Sequence, residues 1–555
     1  MKILALSLIA LTSVPGIAQM AMDHMDHSAK SADGATPERL GTVIFSVSCA
    51  ASVQAPFNRG VALLHDFWYE EAQRQFNEIA KTDPDCAMAH WGVAMSYFHQ
   101  IWNRPDENSV ARGWAEMQKA QSPAAKTPRE RAYVAALSDF YRPGEPAFPE
   151  RVKTYSEAMG KLYAEYPEDV DAGAFYALSL LAATAPDDTS LTANRKAMAV
   201  LAPLFAKYPD NPGLDHYITH ACDNPAMAAE GLAGADHYRE IAQSGAHAYH
   251  MPGHIYARLG MWPQDIEANL GSVNAAKASQ AKYGSGIMDE PHSYDFLLYA
   301  YLQSGQDDRA KWVLEQTQQL LGQIDTMPAM GGHRMSAMVP YYRSKFAVFY
   351  ALETRDWKSA AGLEPPAGSP PDVATLAIWA RAIAHGHLRQ SAEAKADLAR
   401  YDALMDEIRK GKNSFLAEGT GVKIEQDEVM GWAAFADGKQ DEALKHMAAA
   451  ADLQDKVGQG EVDIPAREML ADMLLESHQP RQALVEYEVA LKLSPNRFNA
   501  LYHAGLAAEQ AGEKAKAQQF YAALLKSTDN GAHSARPEFA HLKNFVASTQ
   551  MAAQQ

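Results

Sequence analysis

A repeat with a period of about 34 residues constrains the fold of this chain more than any other feature. Ala483 and Ala517 stand 34 residues apart, and each is followed four residues later by an aromatic residue, Tyr487 or Tyr521. An N-terminal copy, residues 57–85, carries glycine, alanine, phenylalanine and proline at matching positions. Small residues let paired helices approach, aromatic residues fill the groove between them, and proline ends the second helix. The pattern predicts an all-α fold, a right-handed α-solenoid of tetratricopeptide-like helix pairs.

The chain length agrees with an extended array of this kind. With 555 residues it is too long for one compact domain, whereas a repeat array has no such limit. Turn-forming residues interrupt the helical pattern at 362–373 and 410–426. We therefore predict a signal peptide at 1–18, a disordered tail at 19–42, a histidine-rich repeat array at 43–361, an interrupted helical linker region at 362–424 and C-terminal tetratricopeptide repeats at 425–545.

The N-terminus predicts export. Lys2 precedes an apolar run that ends at Val14, and Gly16 and Ala18 form a small-x-small cleavage pattern. We expect cleavage after Ala18 and a periplasmic or secreted protein without a membrane span. The tail then contains the segment MAMDHMDH, Met20–His27, whose thioether and imidazole groups suit copper. Copper handling and an inert flexible tail are both open hypotheses for this segment.

Charge and cysteine content bear on which partners the protein binds and on its redox compartment. A formal net charge of −18 without a basic run argues against general nucleic-acid binding. In an oxidising compartment Cys49 and Cys86 are candidates for a disulfide, and the alternative is a pair of small buried thiols. Cys222 is then left over.

The strongest functional signal is a set of histidines in register. His216 and His220 are four residues apart on one helix face, and so are His250 and His254. The second pair follows the first by 34 residues, so the two pairs occupy equivalent sites in consecutive repeats. First helices of such repeats line the concave groove, where the four imidazoles are expected to converge with the carboxylate of Asp223.

Two histidines four apart on a helix form a two-point metal chelate, and this one occurs twice. The ligand set suits a transition metal, with zinc, iron or copper as candidates. Further residues are expected in the groove or in support of the ligands: His65, His99, His247, Arg258, Glu290 and His292. The alternative is that these histidines are ordinary core or groove residues, hydrogen-bonded to tyrosine and aspartate. His65 and His99 are better explained by helix packing.

The sequence contains none of the common catalytic signatures. GxSxG, the P-loop, the dinucleotide fingerprint and HExxH are all missing. If a reaction is catalysed, metal-bound water or a redox-active metal is the simplest agent, with Arg258 a candidate for binding an anionic group.

Three stretches resemble a bacterial family of exported tetratricopeptide-repeat proteins of uncharacterised function. They are LLHDFWYEEAQRQFNEIAKTDPDCAMAHWG, LDHYITHACDNP and HAYHMPGHIYARLGMW, and the resemblance spans residues 46–343. It implies the repeat fold and a set of motif positions, but no activity. Those positions are His65, Cys86, His99, His216, His220, Asp223, His250, His254 and His292. At Asp223 many relatives have glutamate, which keeps a carboxylate but alters its reach.

The leading hypothesis is an exported repeat protein that binds a transition metal in its groove through histidines, with or without catalysis. The first alternative is a scaffold that grips a protein, peptide or small molecule in the groove without a metal, with histidines as polar or pH-sensitive contacts. The second is periplasmic copper handling that rests on the Met/His tail.

Overall fold

The computed structural model describes residues 38–101, 104–121, 125–144, 147–185, 188–327, 335–411, 414–460 and 462–553. The predicted signal peptide and the Met20–His27 segment lie outside these residues. Residues 40–555 form one compact unit.

Over the described residues the chain is built from α-helices and short turns, with no β-strand. The N-terminal half contains α1 Gln54–His65, α2 Tyr69–Thr82, α3 Ala87–Met95, α4 Glu107–Ala120, α5 Pro128–Tyr141, α6 Phe148–Glu165, α7 Val170–Ala182, α8 Thr192–Lys207, α9 Pro212–Cys222, α10 Ala228–Ile241, α11 Ala246–His250, α12 Pro252–Leu259 and α13 Trp262–Tyr283. The C-terminal half contains α14 Asp289–Gln303, α15 Asp307–Asp325, α16 Val339–Glu353, α17 Trp357–Ala361, α18 Pro371–His387, α19 Ser391–Lys410, α20 Thr420–Ala436, α21 Gln440–Val457, α22 Ala466–Glu476, α23 Pro480–Leu493, α24 Phe498–Gln510, α25 Lys514–Ser527 and α26 Glu538–Ala553.

These helices pair as the repeat pattern predicts, and the right-handed α-solenoid of tetratricopeptide-like pairs is confirmed. In the first repeat a side chain on Gly60 would overlap the ring of Phe76, its Cβ coming within 2.7 Å. The same contact joins Gly505 to Tyr521 in a C-terminal repeat. The small residue therefore lets the first helix of a pair lie directly on the aromatic ring of the second.

First helices of neighbouring pairs also contact one another, so they form the inner layer of the solenoid: α7 contacts α9, α9 contacts α12, and α12 contacts α14. The inner layer also closes on itself, because α1 contacts α9 and α14 contacts α24. Arg497 lies at the second of these junctions, buried with Glu353 and Glu468. A buried arginine requires such paired carboxylates, so the repeats meet here in a specific packed interface.

Two predicted boundaries differ from the structure. The disordered tail was predicted to extend to residue 42, but Leu40 is buried and the amide groups of Gly41 and Thr42 donate hydrogen bonds to Ile241 and Asp210. The predicted linker region 362–424 contains a regular helix pair, α18 and α19, and the first residues of α20. Proline and glycine interrupt the chain at 362–370, but the residues after them pack as an ordinary repeat.

The two candidate cysteines form a disulfide. Cys49 and Cys86 are bonded, with their Cα atoms 5.0 Å apart, and tie the segment before α1 to the start of α3. Cys222 is buried beside Met198, and burial raises the pKa of its thiol to about 12, which makes it a poor nucleophile. Among the described residues, no helix has the length and apolar character needed to cross a membrane.

Candidate metal centre

The histidine pairs are placed by two helix starts in consecutive repeats. Asn211 caps α9 by accepting a hydrogen bond from the amide of Gly213, and Pro212 occupies the first turn, where its missing N–H is harmless. The second pair spans α11 and α12, which join at Met251 just before Pro252. Met251 keeps helical dihedral angles, so His250 and His254 stay on one face across the junction.

The structure divides the six central histidines into two groups. The first triad consists of His216, His220 and His247, and the second triad of His250, His254 and His292. Within each triad the candidate ligand nitrogens all lie within 4.8 Å of one another. The predicted set of four histidines around one ion is therefore replaced by two sets of three. Each set combines one i, i+4 pair with a histidine near the start of a following inner helix segment.

His247 and His292 were expected only as supporting residues, but the structure places each of them in a triad of candidate ligands. Asp223, expected as a ligand, joins neither triad. Its Oδ2 accepts a hydrogen bond of 2.9 Å from Nδ1 of His254, and its Oδ1 accepts one from Arg258. Arg258 also donates to the carbonyl oxygen of Gln459. Asp223 and Arg258 therefore orient His254, and Arg258 is engaged by protein groups rather than presented to an anionic substrate.

Hydrogen bonds determine which nitrogen of each buried histidine faces the cluster. A carbonyl, amide or carboxylate oxygen only accepts, so the imidazole nitrogen bonded to it must carry the proton. Nδ1 of His216 donates to the carbonyl oxygen of His65, and Nδ1 of His250 donates to Oδ1 of Asn269 at 2.6 Å. Together with the His254–Asp223 bond, this makes Nε2 the lone-pair nitrogen of each ring in its neutral form.

The Asn269 side chain is held in the orientation that this tautomer needs. Its Nδ2 donates to the carbonyl oxygen and to Oδ1 of Asp265, at 2.9 and 2.7 Å, so Oδ1 must face His250. Gly253 makes the approach possible, because a Cβ there would lie 2.8 Å from Nδ2 of Asn269. Gly253 therefore lies in direct contact with the side chain that orients His250.

The Nε2 atoms meet in pairs. Nε2 of His250 lies 2.9 Å from Nε2 of His254, and Nε2 of His247 lies 3.2 Å from Nε2 of His216. Two nitrogens bound to one tetrahedral zinc ion at its usual bond length are about 3.4 Å apart. The spacing is therefore close to that of two ligands on a shared ion.

Burial favours the neutral imidazole that a metal requires. His216, His250 and His254 are 0%, 1% and 4% exposed. Burial lowers the pKa of His216 to about 3, against the opposing effect of its bond to the His65 carbonyl oxygen. Burial also lowers the pKa of His247, and the neighbouring imidazoles act in the same direction. These two rings are uncharged at neutral pH and need lose no proton when a cation binds.

One phenylalanine packs against each triad. The ring of Phe67 lies 4.3 Å from that of His216 and stacks on His220 and His247. Phe296 packs against His250, His254 and His292, with ring centroids 4.6 to 5.3 Å apart. Phe67 lies in the turn after α1 and has a positive φ of 55°. Other turns with positive φ, at Gly260 and Gly305, use glycine instead. The two rings shield the clusters from water, which strengthens electrostatic interactions there.

The other predicted residues lie around the triads. His65 is buried and bonded through its side chain to Tyr217 and Asp171, and His99 stacks on Tyr69, so both are packing residues. Glu290 is buried with its carboxylate 4.0 Å from Lys277 and belongs to neither triad.

Sequence patterns did not indicate Asn269, Phe67 or Phe296. Asn269 lies on the outer helix α13, where no repeat position marks it as a partner of His250. Phe296 had a usable signal, since it follows His292 by four residues and so shares its helix face.

Comparison with known proteins finds similarity to solved structures only, at low sequence identity. No family model and no curated protein matches the sequence. Among solved structures, human IFIT1 with PPP-AAAA is 12% identical, with 84% of this chain and 88% of that chain covered and a TM-score of 0.32. Yeast Tom70 is 12% identical, with 91% and 96% covered and a TM-score of 0.33. The TPR domain of P58(IPK) is 12% identical, with 90% and 99% covered and a TM-score of 0.21.

Proposed function

We propose that this helical-repeat protein binds a transition metal ion through its histidine triads. The observation that carries the proposal is the pair His250 and His254. Both rings donate from Nδ1 to fixed acceptors, and their Nε2 atoms, which carry the lone pairs in the neutral rings, face each other at 2.9 Å. Facing lone pairs repel, and a cation between them turns that repulsion into coordination. An all-imidazole ligand set suits zinc, copper, iron or nickel better than calcium or magnesium.

The number of histidines in each triad is that of a catalytic metal site rather than a purely structural one. Structural zinc sites are filled by four protein ligands, whereas catalytic sites use three and leave a position for water or substrate. Each triad supplies three histidines, and among the described residues no cysteine or carboxylate joins them as a fourth ligand. We therefore extend the proposal to a metal ion that takes an exogenous ligand.

We also propose that the protein acts outside the cytoplasm. The N-terminal residues have the pattern of a signal peptide, and the Cys49–Cys86 disulfide supports an oxidising compartment. Periplasmic zinc or copper is then the natural source of the ion.

A scaffold that grips a protein or peptide is the competing function, and the repeat fold is consistent with it. That function needs an open concave groove. Contacts between α1 and α9 and between α14 and α24 close the inner layer at those two points, and they favour the metal site over a continuous peptide groove.

Metal analysis of protein purified without a His-tag tests the proposal. We expect bound zinc, copper or iron in the full-length protein, either as purified or after reconstitution, and its loss in the His250→Ala/His254→Ala variant from the second triad. The matched controls are His385→Ala and His446→Ala, because both rings donate Nδ1 to a carboxylate as His254 does but belong to neither triad. Absence of metal from the reconstituted wild type, or equal loss in the controls, would refute it. Metal that disappears only when residues 20–27 are deleted would assign binding to the tail instead.

A further inference from the structure

The two triads are close neighbours with the same construction. His247 and His250 belong to the single helix α11, three residues apart, and a rise of 1.5 Å per residue places their backbones about 4.5 Å apart along its axis. Their ring centroids are 6.4 Å apart. One turn of helix thus supplies a ligand to each triad. Paired metal ions in proteins lie about 3.5–4 Å apart, which is the same length scale.

The two triads take their remaining histidines from neighbouring inner helices. The first triad takes its other ligands from α9, and the second takes its other ligands from α12 and α14. Of these helices, α12 contacts both α9 and α14 in the inner layer. Phe67 covers the first triad and Phe296 the second.

Buried carboxylates match the charge that two ions bring. Six neutral imidazoles carry no charge, so two divalent ions introduce four positive charges into the interior. Asp66, Asp215 and Asp265 are all 0% exposed, and Asp223 bonds directly to a ligand. One carboxylate oxygen of each of the first three accepts no hydrogen bond among the described residues. Burial disfavours the ionised form of such carboxyl groups, and a metal ion close to them would favour it.

We infer that the two triads form one dinuclear centre, in which the ion on the first triad and the ion on the second share a water-derived bridging ligand. This inference rests on the proposed metal binding and adds to it the number of ions, their proximity and the nature of the exogenous ligand. Water bound to such an ion loses a proton near neutral pH, so hydroxide is the bridging form.

Copper(II) is the probe that tests proximity, because hydroxide-bridged copper(II) ions couple magnetically and lose their electron paramagnetic resonance signal. The protein is prepared without residues 20–27, stripped of metal and titrated with copper(II). We expect two copper ions per chain and an integrated signal well below half of the bound copper. The His216→Ala/His220→Ala and His250→Ala/His254→Ala variants are each expected to bind one copper ion with a full signal. His446→Ala serves as the control and should behave as the wild type.

The other outcomes overturn either the dinuclear centre alone or both proposals. One copper ion per wild-type chain, or two with full signal, overturns the dinuclear centre while leaving metal binding intact. No bound copper, zinc or iron in the wild type overturns both proposals. If a double variant is misfolded by circular dichroism, His220→Ala and His292→Ala replace it, since both rings are only partly buried. Each single variant should then weaken one of the two binding steps, and weakening of neither overturns the inference.

Discussion

Gly253→Ala tests the packing that orients His250. The added Cβ would lie 2.8 Å from Nδ2 of Asn269 and 2.9 Å from Oδ1 of Asp265. Normal contact needs about 0.6 Å more, so α12 or the Asn269 side chain must move. Overpacking of this kind costs about 1–3 kcal/mol, while replacing helical glycine by alanine returns up to about 1 kcal/mol. We expect a net local loss of about 1–2 kcal/mol.

Hydrogen–deuterium exchange measures this loss where it occurs, because a repeat array opens locally rather than as a whole. A loss of that size raises the open population of α11, α12 and α13 about 5- to 30-fold. The matched control is Gly322→Ala in α15, where an added Cβ meets nothing within 4 Å. That variant should gain up to about 1 kcal/mol and leave exchange near the histidines unchanged. Slower exchange in Gly253→Ala, or equal behaviour of the two variants, would refute the proposed contact.

Three further predictions concern separate parts of the molecule. Asp223→Asn keeps the shape of the side chain but makes it a weaker hydrogen-bond acceptor for His254. In a competitor titration, the metal affinity of the second triad should fall about 10- to 100-fold while that of the first triad is unchanged. Equal weakening of both triads would contradict this. Cys49→Ser combined with Cys86→Ser should lower stability by at most about 4 kcal/mol, since the bond closes a 37-residue separation, and an unchanged melting temperature would contradict it. Burial lowers the pKa of His503 to about 4 in the folded protein. In the unfolded chain the same imidazole takes up a proton below about pH 6.5. Stability should therefore fall as pH drops from 6.5 to 4, by about 3 kcal/mol at most, and His503→Asn should flatten that part of the melting-temperature profile relative to His446→Asn.

The repeat spacing was sufficient to predict the fold because helix pairing depends on short-range patterns. A glycine and an aromatic residue at fixed separation specify one contact, as Gly60 and Phe76 do, and the same contact recurs between Gly505 and Tyr521. The ends of the array are less regular. Leu40 packs into the unit although the residues around it read as a polar tail, because its partners come from distant repeats.

The site was predicted in part for the same reason. The 34-residue offset correctly identified His216, His220, His250 and His254 as neighbours, but it suggested that equivalent residues share one ion. In the structure each i, i+4 pair turns toward a histidine near the start of a following inner helix segment, so sequence offsets of 27 and 38 residues define the sites instead. Such offsets depend on loop and helix lengths, which a repeat period does not fix.

The distinction between metal ligands and ordinary core histidines depends on the second nitrogen of each ring. An Nδ1–H bond to an acceptor is common in this protein and by itself indicates only a satisfied buried ring, as in His385 with Asp397 and His446 with Asp427. His250 and His254 share that feature, but their Nε2 atoms face each other. Under the proposed metal binding, Asn269, Asp223 and Gly253 hold these two rings in the orientation that a shared cation requires.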